Sequence, residues 1–249
     1  MRGVWRERAA ANAASPPLCF DPRAPPPPPA YEPHSALPVG LPAAFCDLSP
    51  LCPAALKPVR TLASSACFRV PLVRHLWWWL GGRHASAASA RGLLATGHSV
   101  ALCPGGVREC AHLRRGAETV FLSGRPGFIR LALAAGAPIL PAFAFGQTAA
   151  YSFALPGPPL VPAAVVAALA RRLGAMPLLL WGAGGSPLPH RVPITVVVGA
   201  PIVGADGPVA DPSPELVAAT LDAYVAALQA LHARHAASAG AAGVPLTVL

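Results

Sequence analysis

Ala85-Ser-Ala-Ala-Ser-Ala-Arg-Gly-Leu-Leu-Ala-Thr-Gly-His-Ser-Val-Ala-Leu-Cys-Pro-Gly-Gly106 carries the fold in miniature. Ala85 to Thr96 is rich in Ala and Leu, the residues that lose least on entering a helix, and Gly97 supplies the stop that a helix end favours. Ser99 to Cys103 is an apolar run of strand length, and Pro104-Gly-Gly106 is a turn. The alternation repeats outward. Phe128 to Ala135 predicts a helix capped by Gly136, followed by a strand over Pro138 to Phe145 and a loop at Gly146. Val161 to Leu173 predicts a helix, Val192 to Val198 a strand, and Pro214 to His235 a long amphipathic helix with Ser213 as N-cap. Strands and helices joined by short links predict an α/β domain on a largely parallel sheet flanked by helices.

Composition sets the surroundings of that domain. Its 249 residues suffice for one large domain or two small ones with a full core. They are 54% hydrophobic and only 12% charged, with a mean hydropathy of +0.50, which points to contact with membrane or lipid. The formal charge of +9 would ordinarily raise nucleic acid as a partner. The basic residues are scattered, however, Lys57 is the lone lysine, and no basic run interleaves with aromatics. Nucleic acid is therefore set aside in favour of an anionic membrane face or a phosphate-bearing cosubstrate.

Residues 1–30, with Arg2, Arg6, Arg8 and the run Pro25 to Pro29, read as a Pro/Ala-rich disordered leader. They lack the apolar core of a secretory signal, and Glu7 and Asp21 argue against a transit peptide. Residues 31–236 form the expected domain and 237–249 a C-terminal tail. Leu131 to Ala170 has no charged residue, but its six prolines argue against one spanning helix and for short apolar elements, buried or dipped into one leaflet. The six cysteines show no C-x-x-C spacing and no zinc-site partner, so they read as reduced, buried thiols, and no metal is expected.

Several stretches carry chemistry. In Tyr31-Glu-Pro-His-Ser-Ala-Leu-Pro38, Pro33 stiffens the turn that presents His34, which serves either as a general base or as a satisfied structural histidine. Pro104-Gly-Gly-Val-Arg-Glu109 places a glycine pair after a buried strand, where backbone N–H groups can meet an anion; an ordinary turn is the competing reading. Between Tyr31 and Ala205 the acids are Glu32, Asp47, Glu109 and Glu118 alone, and Glu109 is preferred to Glu32 for orienting His34. Arg108, Arg114, Arg115, Arg125 and Arg130 either grip phosphates or form a solvated basic face. Leu76-Trp-Trp-Trp-Leu80 fits a membrane interface better than a core wedge. Gly97-His-Ser-Val-Ala101 lacks the last glycine of a nucleophile elbow and runs from helix into strand, which argues against a serine hydrolase. Neither a P-loop nor a Rossmann fingerprint occurs.

Taken in order, Tyr31 to Pro38, Pro104 to Glu109, Arg125-Pro-Gly-Phe-Ile-Arg-Leu-Ala132, Pro141-Ala-Phe-Ala-Phe-Gly-Gln147, Gly185-Ser-Pro-Leu-Pro-His-Arg191 and Val198-Gly-Ala-Pro-Ile202 resemble the type 2 diacylglycerol acyltransferase family. The Glu-Pro-His-Ser form resembles its plant and algal members, where animal and fungal members carry His-Pro-His-Gly. Arg108 departs from the usual Gln, and where family members carry a hydrophobic hairpin ahead of the histidine motif this sequence has thirty mostly polar or Pro-rich residues, so either its true start lies further upstream or membrane attachment relies on the apolar surface of the domain.

The resemblance implies a membrane-associated, glycerolipid-acyltransferase-like α/β domain that moves a fatty acyl group from acyl-CoA to the free hydroxyl of diacylglycerol, yielding triacylglycerol. Another lipid alcohol as acceptor, monoacylglycerol or a long-chain alcohol, and a truncated, catalytically silent lipid-surface relative are the alternatives. It further implies His34, Glu109 and Glu32 as catalytic residues. Pro33, Ser35, Gly105, Gly106, Arg108, Arg125, Arg130, Phe145, Gly146 and Gln147 would contact substrate or CoA. No cofactor is implied beyond acyl-CoA as cosubstrate. The implied setting is the endoplasmic reticulum membrane or a lipid-droplet surface, with the plastid as alternative and a homo-oligomer open.

Overall fold

A computed structural model describes residues 26–155, 157, 161–173 and 176–249. Ten strands lie among them: β1 Pro29–Glu32, β2 Val59–Ala63, β3 Gly82–His84, β4 Ser99–Ala101, β5 Glu118–Val120, β6 Leu140–Phe145, β7 Ser152–Ala154, β8 Leu179–Trp181, β9 Thr195–Val198 and β10 Leu246–Val248. The α-helices are α1 Gly40–Ala44, α2 Ser65–Arg69, α3 Val73–Trp79, α4 Ala87–Ala95, α5 Gly106–Glu109, α6 Gly127–Ala135, α7 Ala163–Leu173 and α8 Pro214–His235.

Strands β3, β2 and β4 pair in parallel in that spatial order, and β1 pairs in parallel with β6, which pairs antiparallel with β9. Ala30 of β1 bridges Leu102 just past β4, through Tyr31 N–H to Leu102 O at 2.8 Å and Leu102 N–H to Pro29 O at 3.0 Å. One sheet results, running β3-β2-β4-β1-β6-β9. Only its last strand is antiparallel, which matches the largely parallel sheet expected from the sequence. β5 and β10 form a separate parallel pair, and β7 and β8 an antiparallel one.

The sheet is covered on both faces, as parallel strands require. β6 shows the division by its period of two. Phe143 and Phe145 face Ile129 and Leu133 of α6 and Tyr224, Leu228 and Leu231 of α8. Leu140, Ala142 and Ala144 face Tyr31, Leu41, Phe45, Leu56 and Val59 on the other side. α8 begins as its sequence predicts, with Ser213 Oγ accepting from Leu216 N–H at 3.2 Å. Its buried Val217, Thr220, Tyr224, Leu228 and Leu231 recur every three or four residues and form one face. By length and composition α8 could cross a membrane, and its one buried face packs on β6.

The helix predicted over 85–96 is α4, capped by the Ser86 side chain, and Gly136 closes α6 at φ 63°. Strand pairing extends on both sides of the 31–236 span read from the sequence. Pro29 and Ala30 lie inside β1, and Leu246–Val248 pairs with β5. The leader up to residue 25, with Cys19, lies outside the described residues. The other cysteines are free; Cys46, Cys52 and Cys110 are buried as expected, whereas Cys67 and Cys103 are partly exposed. The charge-free stretch resolves into α6, β6, β7 and α7, with no single helix running through it.

Candidate active site

In an α/β sheet, ligands collect beyond the carboxyl ends of the parallel strands. Here β1 and β4 are neighbours, so the chain leaving β1 at Glu32 meets the chain leaving β4 at Gly105. Residues separated by more than seventy positions are thereby brought into contact. Gly105 N–H donates to Glu32 Oε1 at 2.9 Å, and Ser35 N–H donates to Glu109 Oε1 at 3.0 Å. Phe121 N–H donates to Glu109 Oε2 at 3.2 Å.

Glu32 and Glu109 are both fully buried and lie side by side. Burial raises both carboxyls, Glu32 well above the usual carboxylate range with the neighbouring Glu109 charge adding to it, and Glu109 to about 7. Backbone N–H groups of Ser35 and Phe121 hold Glu109 back from a larger rise. Two carboxyls this close in a buried setting resist ionising together. Burial and the Glu109 charge leave Glu32 the more strongly raised of the two, and among the described residues no N–H or O–H group donates to its Oε2.

The glycine pair is there to admit these groups. A Cβ on Gly105 would sit 2.3 Å from Glu109 Oε2, and one on Gly106 would sit 2.8 Å from a terminal nitrogen of Arg125. Arg125 donates to Gly105 O at 2.8 Å. The expected anion-binding role of the pair is therefore reduced, because Gly105 N–H is already committed to Glu32. Gly106 is the member of the pair that lines the cleft described next.

His34 opens onto a cleft of about 1020 Å³. Its Nδ1 lies 2.8 Å from Ser35 O. A carbonyl can only accept, so Nδ1 carries the proton and Nε2 keeps its lone pair. Cys110 Sγ also donates to Ser35 O, at 3.2 Å, and lies 3.6 Å from Nδ1. Burial, and secondarily the positive charge of Arg125, push the imidazole below its ordinary value, so it is neutral at pH 7. Glu109 does not orient the ring directly, as the sequence reading had it. It holds the Ser35 N–H, and the carbonyl of the same residue, whose φ is 58°, fixes the ring. The reason is topological, since the carboxylate arrives from β4 beneath the loop while the ring turns outward.

The cleft wall combines apolar residues of β2, α4 and α6, among them Leu62, Ala90, Phe128 and Leu131, with Arg108 and Arg125 near its polar end. Burial, and secondarily the positive charge of Arg108, lower the Arg125 pKa, so an anion between the two would relieve mutual repulsion. Arg130 is elsewhere, exposed on α6 and donating to Pro212 O at 3.2 Å. Phe145, Gly146 and Gln147 are also absent from the cleft. Phe145 is fully buried against Phe143 and His232. Gly146 backs onto Pro193 O, where a Cβ would lie 2.3 Å away. Gln147 is a buried latch: its Oε1 accepts from Tyr31 O–H at 2.7 Å and Gly40 N–H at 3.0 Å, and its Nε2 donates to Leu37 O at 2.6 Å. Tyr31, Cys110 and Gln147 thus brace the loop, roles that no local spacing announces. Among the described residues no His, Cys, Asp and Glu group has the arrangement of a metal site.

The family model for diacylglycerol acyltransferase matches residues 30–248, from β1 through β10. The chain belongs to that family. Within it the chain is similar to human acyl-CoA wax alcohol acyltransferase 2, 31% identical over 68% of this chain and 52% of the relative. It is likewise similar to diacylglycerol O-acyltransferase 2 of Dictyostelium discoideum, 31% identical over 80% of this chain and 63% of the relative. The zebrafish, Danio rerio, diacylglycerol O-acyltransferase 2 is 30% identical over 69% of this chain and 51% of its own length. The chain thus spans about half to two thirds of the length of these family members. No solved structure matches it.

Proposed function

We propose that the chain transfers an acyl group from acyl-CoA to the free hydroxyl of diacylglycerol. The observation that carries this reading is a neutral histidine with a free Nε2 at the polar end of an apolar cleft. Nε2 takes the hydroxyl proton as the alcohol oxygen attacks the thioester carbon, and the C–S bond breaks as the ester forms. The leaving thiolate then recovers the proton from His34, which returns to its starting state. Such a base contributes roughly 10²–10⁴-fold to the rate. Arg108 and Arg125 supply positive charge for the phosphates of CoA, and the wall of Leu62, Ala90, Phe128 and Leu131 accommodates acyl chains.

Similarity to a wax alcohol acyltransferase supports a second reading, with a long-chain alcohol as acceptor through the same chemistry. The Glu-Pro-His-Ser motif supports an affinity with plant and algal members, and the insoluble acceptor supports action at the endoplasmic reticulum or a lipid-droplet surface. The test is expression of the full chain in a yeast strain unable to make triacylglycerol, with labelled acyl-CoA supplied to its membranes and each acceptor. Labelled triacylglycerol is the expected product. Label in wax ester alone selects the second reading, and label in neither overturns both.

A further inference from the structure

The α3 helix has no buried residue. Leu72 is 82% exposed, Leu76 53%, Trp78 54% and Trp79 71%, and Val70 and Val73 stand open beside them. Contiguous exposed apolar groups of this size mark an interaction site, and tryptophan favours the boundary between headgroups and acyl chains. Charge says what kind of partner covers them. Arg69 lies on α2 and Arg74 on α3, Arg83 stacks 3.9 Å over Trp78, and no Asp or Glu occurs between Asp47 and Glu109. The Asp47 carboxylate is already paired with Arg60. An apolar surface ringed by unopposed cations is complementary to an anionic phospholipid bilayer.

Position ties this face to the site. Ser65, Ala66 and Cys67 of α2 and Trp77 of α3 line the same cleft as His34. Met176 and Leu178 also line it, and the adjoining Leu179 and Leu180 of β8 are exposed at 69% and 36%. Exposed apolar side chains thus adjoin cleft-lining residues both at α2 and α3 and at β8.

We infer that α2 and α3 form a docking face for anionic phospholipid bilayers, seating the mouth of the His34 cleft against the membrane so that a lipid acceptor enters from the bilayer without crossing water. The entry route rests on the acyltransferase reading; the docking face does not. Two assays separate them. In the first, the full chain is sedimented with vesicles of phosphatidylcholine, alone or mixed with phosphatidylserine. A variant combining Leu72→Ser, Leu76→Ser, Trp78→Ala and Trp79→Ala, none of which lines the cleft, is compared with the parent. Binding by the parent that strengthens with phosphatidylserine and falls at least about tenfold in the variant is expected. Equal binding by the two, or a vesicle-free dimer that the variant dissolves, overturns the docking face. In the second, acyl transfer is measured with diacylglycerol in detergent micelles and in vesicles. Loss by the variant in vesicles alone supports entry from the bilayer. Equal loss in both formats overturns it, and inactivity of the parent in micelles sinks the acyltransferase reading while the sedimentation result still stands.

Discussion

Residues 31–40 and the α3 helix invert the usual rule of apolar inside and polar outside, in opposite directions. The first segment buries Glu32 and Ser35 completely, beside the buried Glu109 and Gln147. The second leaves Leu76 and two of its tryptophans open to solvent. An inversion that costs stability persists where function needs it. In residues 31–40 the cost is offset by hydrogen bonds from Ser35, Gly40, Phe121 and Tyr31 to buried carboxylate and amide oxygens. To the open side chains of α3 the described residues supply only ring contacts, from Arg83 to Trp78 and from His75 to Trp79, and the compensation lies in a partner.

Substitutions in the two segments should therefore behave differently. Glu109→Ala strands the Ser35 and Phe121 N–H donors in a buried setting, and should cost about 2–5 kcal/mol in chemical denaturation. It should also lower acyl transfer through the loosened Ser35 carbonyl. A loss of less than about 1 kcal/mol would mean that the buried network does not hold the loop.

Next in size is a pH effect. The folded-state pKa of Glu109 is raised to about 7 from an unfolded value near 4.5, so the folded chain holds the extra proton between those values. Its contribution to stability is present below the unfolded pKa and is lost as pH rises toward 7, up to about 3 kcal/mol in all. Denaturation midpoints from pH 4.5 to 7 should fall, and Glu109→Gln should flatten the slope by about one proton. A slope unchanged in that variant would place the proton elsewhere.

Gln147→Ala removes the latch on Tyr31, Leu37 and Gly40, for an expected loss of about 2–3 kcal/mol by thermal or chemical melting. Smallest of all is Leu76→Ser in α3, expected to change stability in free solution by no more than about 0.5 kcal/mol. A large loss there would mean that α3 packs against the chain itself, and the contrast between the segments would dissolve.

The sequence made one level of this organisation readable and hid another. α4, α6, β6, α8 and the parallel sheet follow from local signals such as Ser213, Gly136 and the run over 138–145, since caps and periodicity act within a few residues. His34 on the cleft, Glu109 beneath it and Arg108 and Arg125 on its wall were also within reach of motif and charge. The pairing of Glu32 with Glu109, the Cys110 thiol beside the ring and the Gln147 latch were not. Each depends on β1 lying between β4 and β6, a fact of strand order. Phe145, Gly146 and Gln147 came from the resemblance, and β6, paired between β1 and β9, contributes none of its residues to the cleft.

The central claim is that His34, with Nδ1–H held by Ser35 O, is the base of an acyl transfer. Its most direct test is the rate of transfer from acyl-CoA to micellar diacylglycerol by full-length His34→Ala, measured beside its melting midpoint. The account predicts a fall of roughly 10²–10⁴-fold with the midpoint essentially unchanged. Activity within about threefold of the parent would contradict it.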